Sequence, residues 1–490
     1  MYLSKSKYTL GLQCEKILWL DKYKKEVKEE INNDAVLDNG TDIGILAQKL
    51  FPNYKVVEFN KDLSKMIEDT KNYLKEDNIN LCEASFSYNN NFCSVDILKK
   101  VGNTYELYEV KSSTHVSDVY LDDVSFQYYV LTNLGLNVIK TYVVTVDSSY
   151  VRHGDLELDK LFKFNDITET VIEKQDLVKN TIDKISKYME SDKERDKDLG
   201  EYCFSPYPCP YFKYCSRHLP ENNIFNVRGM QLTSKIKLYN EGKVSYEDLL
   251  DSNINNKYKQ QIEFELNDLE PYINKENIKE ELDKYYYPIY YLDFESYQVA
   301  VPEFDNTNPY MQLPFQYSLH YRMSEEGELL HKEYLGESGK DPRRKLAEQL
   351  VNDIPKDSCV LAYNMAFEKM IIKHLASIYP DLSDHLMNIH DHIKDLIVPF
   401  KNRDYYCKDM LGSFSIKFVL PALFPNDPSL DYHNLNLVHK GDEASRSFLS
   451  LKNLNDEDKK TLREALLRYC ELDTYAMVKI HDKLKSIIEK

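Results

Sequence analysis

The sequence has no apolar run of membrane length. Its longest apolar stretches, such as the one from Ile416 to Phe424, carry interruptions like Lys417 and Pro421 and fall far short of the ~20 residues that a spanning helix needs. No apolar segment of secretory type follows the lysines of MYLSKSKYTLGLQ, so no exported leader is expected and the expected location is cytoplasmic. Glycine (14) and tryptophan (1) are scarce, and neither a low-complexity tract nor a repeat of solenoid length is present. Positive charge is also short: 63 Lys and Arg against 81 Asp and Glu give a net charge of −18, which at first sight argues against a nucleic-acid partner. The nine cysteines are odd in number and unevenly spread, which in a reducing compartment favours core thiols or metal ligands over disulfides.

What is there suffices for two or three domains with proper cores, since the chain has 490 residues of which 42% are hydrophobic. Three textures follow one another. Residues 1–219 alternate helical patterns with strand-like runs, clearest over Cys93 to Lys99 and Tyr105 to Lys111, and end in a Cys/Pro-rich segment. Residues 220–284 are polar and helix-rich, and read as a helical connector. Residues 285–490 return to apolar strand candidates, YYYPIYYLDF and CVLAY, and close with a long amphipathic helix. The expected class is α/β for both large regions.

The last helix carries an apolar stripe of Leu462, Leu466, Tyr469, Ala476, Ile480, Leu484 and Ile487, and Asp473 falls inside it. A carboxylate on a buried face is costly unless it is paired or holds a cation. In YYYPIYYLDFES, period-two alternation puts Asp293 and Glu295 side by side at the end of a buried strand, where a divalent cation is the usual compensation. Glu368 follows CVLAYNMAF, in the first turn of a helix at the core edge, where alone it would read as a complement to the helix dipole.

The order DFE, NMAFE, YCELD resembles the three exonuclease motifs of the DEDD branch of the ribonuclease-H-like superfamily. That resemblance implies Mg²⁺ or Mn²⁺ held by Asp293, Glu295, Glu368 and Asp473, with two ions serving attack and departure in an in-line displacement. Tyr469, one turn before Asp473, matches the tyrosine subclass, in which it orients the attacking water. Glu368 stands where the family usually has Asp. The segment DLIVPFKNRDYYCKDMLGSFSIKFVLPALFP resembles an uncharacterised bacterial family that joins such a domain to an N-terminal RecB-like nuclease. Within it Lys417 could reach a phosphate, and Asp395 is a further acid near a strand end.

A second constellation lies in EASFSYNNNFCSVDILKKVGNTYELYEVKSS. Asp96 interrupts one strand, Glu109 and Lys111 share a face of the next, and a hairpin would bring Asp96 close to Glu109. This D…ExK pattern resembles the core of PD-(D/E)XK nucleases, in which the acids bind Mg²⁺ and the lysine positions and deprotonates water. Gln127 occupies the helical place of the RecB-like glutamine motif, and Cys14 with Cys203, Cys209 and Cys215 resembles the cysteine set of iron-sulfur RecB-like nucleases. The resemblance implies a [4Fe-4S] cluster, with Zn²⁺ as the alternative at the same four thiols. The histidine that RecB-like members contribute from an early helix is missing: the first histidine is His115, and GTDIGILAQKLFP, with Gly40 and Gly44, stands in its place. Glu83 could supply a ligand instead.

These readings lead to the expectation of a metal-dependent nuclease with two active sites, acting on nucleic acid, DNA rather than RNA, with no membrane association. Protein partners in repair or defence complexes are conceivable from the family. The alternative is a nucleic-acid-binding scaffold in which only the C-terminal site, or neither, is active.

Overall fold

The computed structural model describes residues 3–30 and 43–489, so Gly40 of the glycine-bearing segment lies outside them. The chain divides into two compact units, both α/β. One comprises Met1–His218 with Val299–Met311, the other Leu219–Gln298 with Gln312–Lys490. The stretch 220–284, expected as a separate connector, thus belongs to the second unit. The short segment Val299–Met311 belongs to the first, where the Arg152 amide donates to the Thr307 carbonyl at 3.0 Å.

Among the described residues the first unit has a seven-stranded sheet: β1 (Leu3–Ser4), β2 (Lys55–Val56), β3 (Asn78–Tyr88), β4 (Asn91–Val101), β5 (Thr104–Val110), β6 (Asn137–Val146) and β7 (Phe162–Asp166). The order is β2-β3-β4-β5-β6-β7, and β1 pairs in parallel with the start of β4, Leu3 opposite Asn91. Asn89 and Asn90, with φ of 46° and 63°, make the tight β3–β4 turn, since asparagine tolerates the left-handed region that such a hairpin requires. The parallel β5–β6 pair is joined by helix α3 (Asp118–Asn133), after α1 (Lys5–Gln13) and α2 (Glu15–Tyr23) at the N-terminal side. Side-chain alternation changes phase across Glu83, whose φ is 56°. Leu81, Ala84 and Phe86 all reach one core cluster, as do Val95 and Leu98 on the paired β4, while Cys82 and Ile97 face the other. Period two fails at Glu83 and Asp96 because the backbone is irregular there.

The second unit contains β8 (Tyr272–Ile273), β9 (Ile289–Tyr297), β10 (Leu313–Arg322), β11 (Leu330–Leu335), β12 (Cys359–Ala362), β13 (Ile393–Asp395) and β14 (Tyr405–Tyr406). Its main sheet runs β11-β10-β9-β12-β13; β10 runs antiparallel to both β11 and β9, and β12 and β13 run parallel to β9. The central strand β9 is covered on both faces, which explains its continuous hydrophobicity. Tyr290, Leu292 and Phe294 pack with Leu346 and Leu350 of α4 (Arg343–Asp353) and with Ile371 and Leu375 of α5 (Ala366–Ile378). Ile289 and Tyr291 face the opposite way, toward Ala476, Ile480 and Leu484 of α8 (Asp456–Glu489). Between α5 and α8 come α6 (Ile416–Leu423), which starts directly after Ser415, and α7 (Gly441–Ser450). Among the described residues no helix is long and apolar enough to cross a membrane.

Candidate functional site

In the second unit, strand parity decides the site. Asp293 and Glu295 continue the face of Ile289 and Tyr291, so they point toward α8, whose inward stripe carries Tyr469, Cys470 and Asp473. One carboxylate oxygen each of Asp293, Glu295 and Asp473 lie within 4.8 Å of one another. Like charges at that separation repel by about 3 kcal/mol per pair at an effective dielectric of ~20, more than a typical hydrogen bond returns. Burial together with the neighbouring acids therefore drives the Asp293 and Glu295 carboxyls well above the usual range. Burial pushes Asp473 up to about 6, held there by donors and by Lys417.

The strongest of those donors is Tyr432, whose hydroxyl donates to Asp473 Oδ1 at 2.6 Å; Tyr469 also supports the ionised form of Asp473. Cys470 is buried with its sulfur 3.7 Å from Asp293 Oδ2. Glu368, in the first turn of α5, stands outside the three-oxygen set, although its charge raises both Asp293 and Glu295. Its Oε2 is buried without a hydrogen-bond partner, and burial lifts its carboxyl to about 8. Asp395 braces the backbone instead. Its Oδ1 accepts from the amides of Asn364 at 2.8 Å and Ile397 at 3.2 Å, which fixes the turn before Glu368.

Three carboxylates on a core strand and a core helix, with a fourth unpartnered beside them, suit a hard divalent cation. Mg²⁺ takes oxygen ligands at ~2.1 Å. Next to the carboxylates, Lys417, Asp427, Asp431, Tyr432, His433 and Lys440 are among the residues that line a cavity of about 870 Å³. The first turn of α7 also approaches the acids, for a Cβ at Gly441 would stand 3.6 Å from Glu295 Oε2.

The first unit gathers the other predicted residues, and two that sequence reasoning missed. Antiparallel pairing of β4 with β5 sets Asp96 beside Glu109. Glu109 accepts from three donors: Oε1 from Lys5 Nζ at 2.8 Å and Lys111 Nζ at 2.6 Å, and Oε2 from Gln127 Nε2 at 2.7 Å. Burial would raise its carboxyl, but the Lys111 and Lys5 ammoniums hold it well below the usual range. Asp96 Oδ2 accepts from the Val110 amide at 2.7 Å, and burial with the Glu109 charge lifts this carboxyl to about 7. Asp123, one turn before Gln127 on α3, pairs with Lys111 at 2.9 Å. Its i, i+4 relation to Gln127 was a usable signal. Lys5, fixed by the β1–β4 pairing, had none. Glu83 adjoins the group and is raised by burial. Among the described residues no three ligand atoms of this constellation lie within 4.8 Å of one another.

Cys14, Cys203, Cys209 and Cys215 surround one small cavity with Lys16, Lys197 and Tyr211. A zinc tetrahedron with ~2.3 Å bonds has sulfur atoms about 3.8 Å apart. Among the described residues no three of these thiols come within 4.8 Å of one another.

A family model described as a domain of unknown function, DUF2779, matches residues 290–415. The matched stretch holds Asp293, Glu295 and Glu368 and stops short of Tyr432, Tyr469 and Asp473. No curated protein and no solved structure matches the chain.

Proposed function

We propose that this protein is a metal-dependent nuclease whose phosphodiester hydrolysis takes place at Asp293, Glu295, Asp473 and Glu368. The observation that carries the reading is the convergence of three carboxylate oxygens, from one strand and one helix, beneath the surface of the second unit. The strand order, three antiparallel strands followed by two parallel to the first, supports a ribonuclease-H-like unit of DEDD type. Divalent Mg²⁺ or Mn²⁺ bound there would activate water and stabilise the departing oxygen. The chain's own residues do the rest. Asp293 and Glu295 are held by the sheet, Tyr432 and Tyr469 keep Asp473 ionised and oriented, and Lys417 offers positive charge to a phosphate entering the cavity.

The first unit fits a RecB-like PD-(D/E)XK domain, with a [4Fe-4S] cluster at its four cysteines. Glu109, already engaged by two ammoniums and an amide, favours the reading in which this unit binds nucleic acid and the second unit cuts it. DNA is the proposed substrate, and repair, recombination or defence the setting. The test is degradation of end-labelled single- and double-stranded DNA and RNA with Mg²⁺ or Mn²⁺. Asp293→Asn abolishes cleavage if the reading holds; undiminished cleavage by Asp293→Asn refutes it.

A further inference from the structure

We infer that Lys5 is a built-in cation standing where a PD-(D/E)XK site would hold its divalent metal, so that the first unit takes no Mg²⁺ or Mn²⁺ at Asp96 and Glu109. The Lys5 ammonium lies 2.8 Å from Glu109 Oε1 and 3.8 Å from both Asp96 Oδ1 and Asp123 Oδ2, at the centre of three carboxylates. Those acids diverge too far to share one small ion as they stand, yet each is within reach of the ammonium.

The oxygens that a metal would need are already bound. Glu109 accepts from three donors, and Asp96 Oδ2 is held by the Val110 amide. An incoming divalent ion meets two ammoniums of its own sign, because Lys111 spans Glu109 and Asp123. Retreat of Lys5 is restricted by its backbone. Leu3 and Ser4 pair with β4, and α1 begins at Lys5 with the Ser4 hydroxyl accepting from the Lys7 amide at 3.3 Å. The network is short of donors rather than rich in them, for Asp123 Oδ1 and Gln127 Oε1 are buried without partners. Removing Lys5 therefore takes from Asp96 the one ammonium within 4 Å of it and leaves room for a cation from solvent. This also accounts for the missing RecB-like histidine: a site that holds an ammonium has no use for a neutral metal ligand.

Chemistry in the second unit does not bear on this inference, and the test separates the two. Mn²⁺ binding is followed by electron paramagnetic resonance on the full chain carrying Asp293→Asn and Asp473→Asn, which removes the other carboxylate set. With Lys5 intact this chain binds no Mn²⁺ that Asp96→Asn abolishes. Adding Lys5→Met creates about one bound equivalent per chain, lost again when Asp96→Asn and Glu109→Gln are introduced, whereas Lys5→Arg creates none. Mn²⁺ bound at Asp96 with Lys5 intact overturns the inference, and that arm requires no change at Lys5. Failure of a folded Lys5→Met chain to gain Mn²⁺ overturns it equally.

Discussion

The hydroxyl of Tyr432 donates to Asp473 Oδ1 at 2.6 Å, joining a loop of short 3₁₀ turns to the carboxylate that the long C-terminal helix places beside Asp293 and Glu295. A donor to a buried carboxylate keeps it ionised, and so ready to bind a cation. Tyr432 also lines the lysine-bearing cavity, so the same side chain borders both the carboxylates and the space where a phosphate would enter.

Tyr432→Phe removes that donor and leaves the ring. A hydrogen bond to a charged group is worth about 1.5 kcal/mol, roughly tenfold in an equilibrium. The expected outcome is a Mn²⁺ concentration for half-maximal cleavage raised about tenfold, measured by titrating activity with metal at neutral pH.

Without metal, the carboxylates strain the fold. Asp293→Asn is expected to raise the Tm in EDTA by about 2–4 °C, the shift that ~1 kcal/mol gives in a unit of this size. Mn²⁺ should raise the wild-type Tm and leave that of Asp293→Asn nearly unchanged, which differential scanning fluorimetry reads directly.

His481 tests the burial of α8 by pH. Its Nδ1 meets the Tyr291 hydroxyl at 2.7 Å, and burial lowers its pKa from 6.5 to about 4. As pH falls below 6.5 the unfolded chain takes up a proton that the folded chain refuses, so stability falls toward pH 4. Over pH 7 to 5 the loss from this residue is about 2 kcal/mol. Urea unfolding of His481→Gln, which keeps an acceptor for Tyr291, should show a decline over that range smaller by this amount.

Anaerobic purification should yield a coloured protein with about four irons per chain, as a [4Fe-4S] cluster requires. Cys203→Ser should lose both iron and colour and lower the Tm of the first unit. About one zinc per chain with no colour would support the alternative metal at the same thiols.

Much of the second unit was legible because its signals are periodic. Alternation along β9 separated Tyr290, Leu292 and Phe294 from Asp293 and Glu295, and the apolar stripe of α8 exposed Asp473 as an anomaly. Residues recruited over long distances gave no such sign. Lys5 reaches Glu109 only because a two-residue strand pairs with β4, and Tyr432 sits in a loop without periodicity. Cys470 looked like core because it is core; its proximity to Asp293 depends on how α8 crosses the sheet. The phase change at Glu83 comes from backbone geometry that side-chain patterning does not encode. Likewise, the assignment of Val299–Met311 to the first unit could not be read from a segment flanked by strands of the second.

Anomalous scattering from a crystal of the protein grown with Mn²⁺ tests the central claim most directly. The account predicts a Mn²⁺ peak bounded by Asp293, Glu295 and Asp473, and none between Asp96 and Glu109. An empty cluster at Asp293, Glu295 and Asp473 under saturating Mn²⁺ would contradict it.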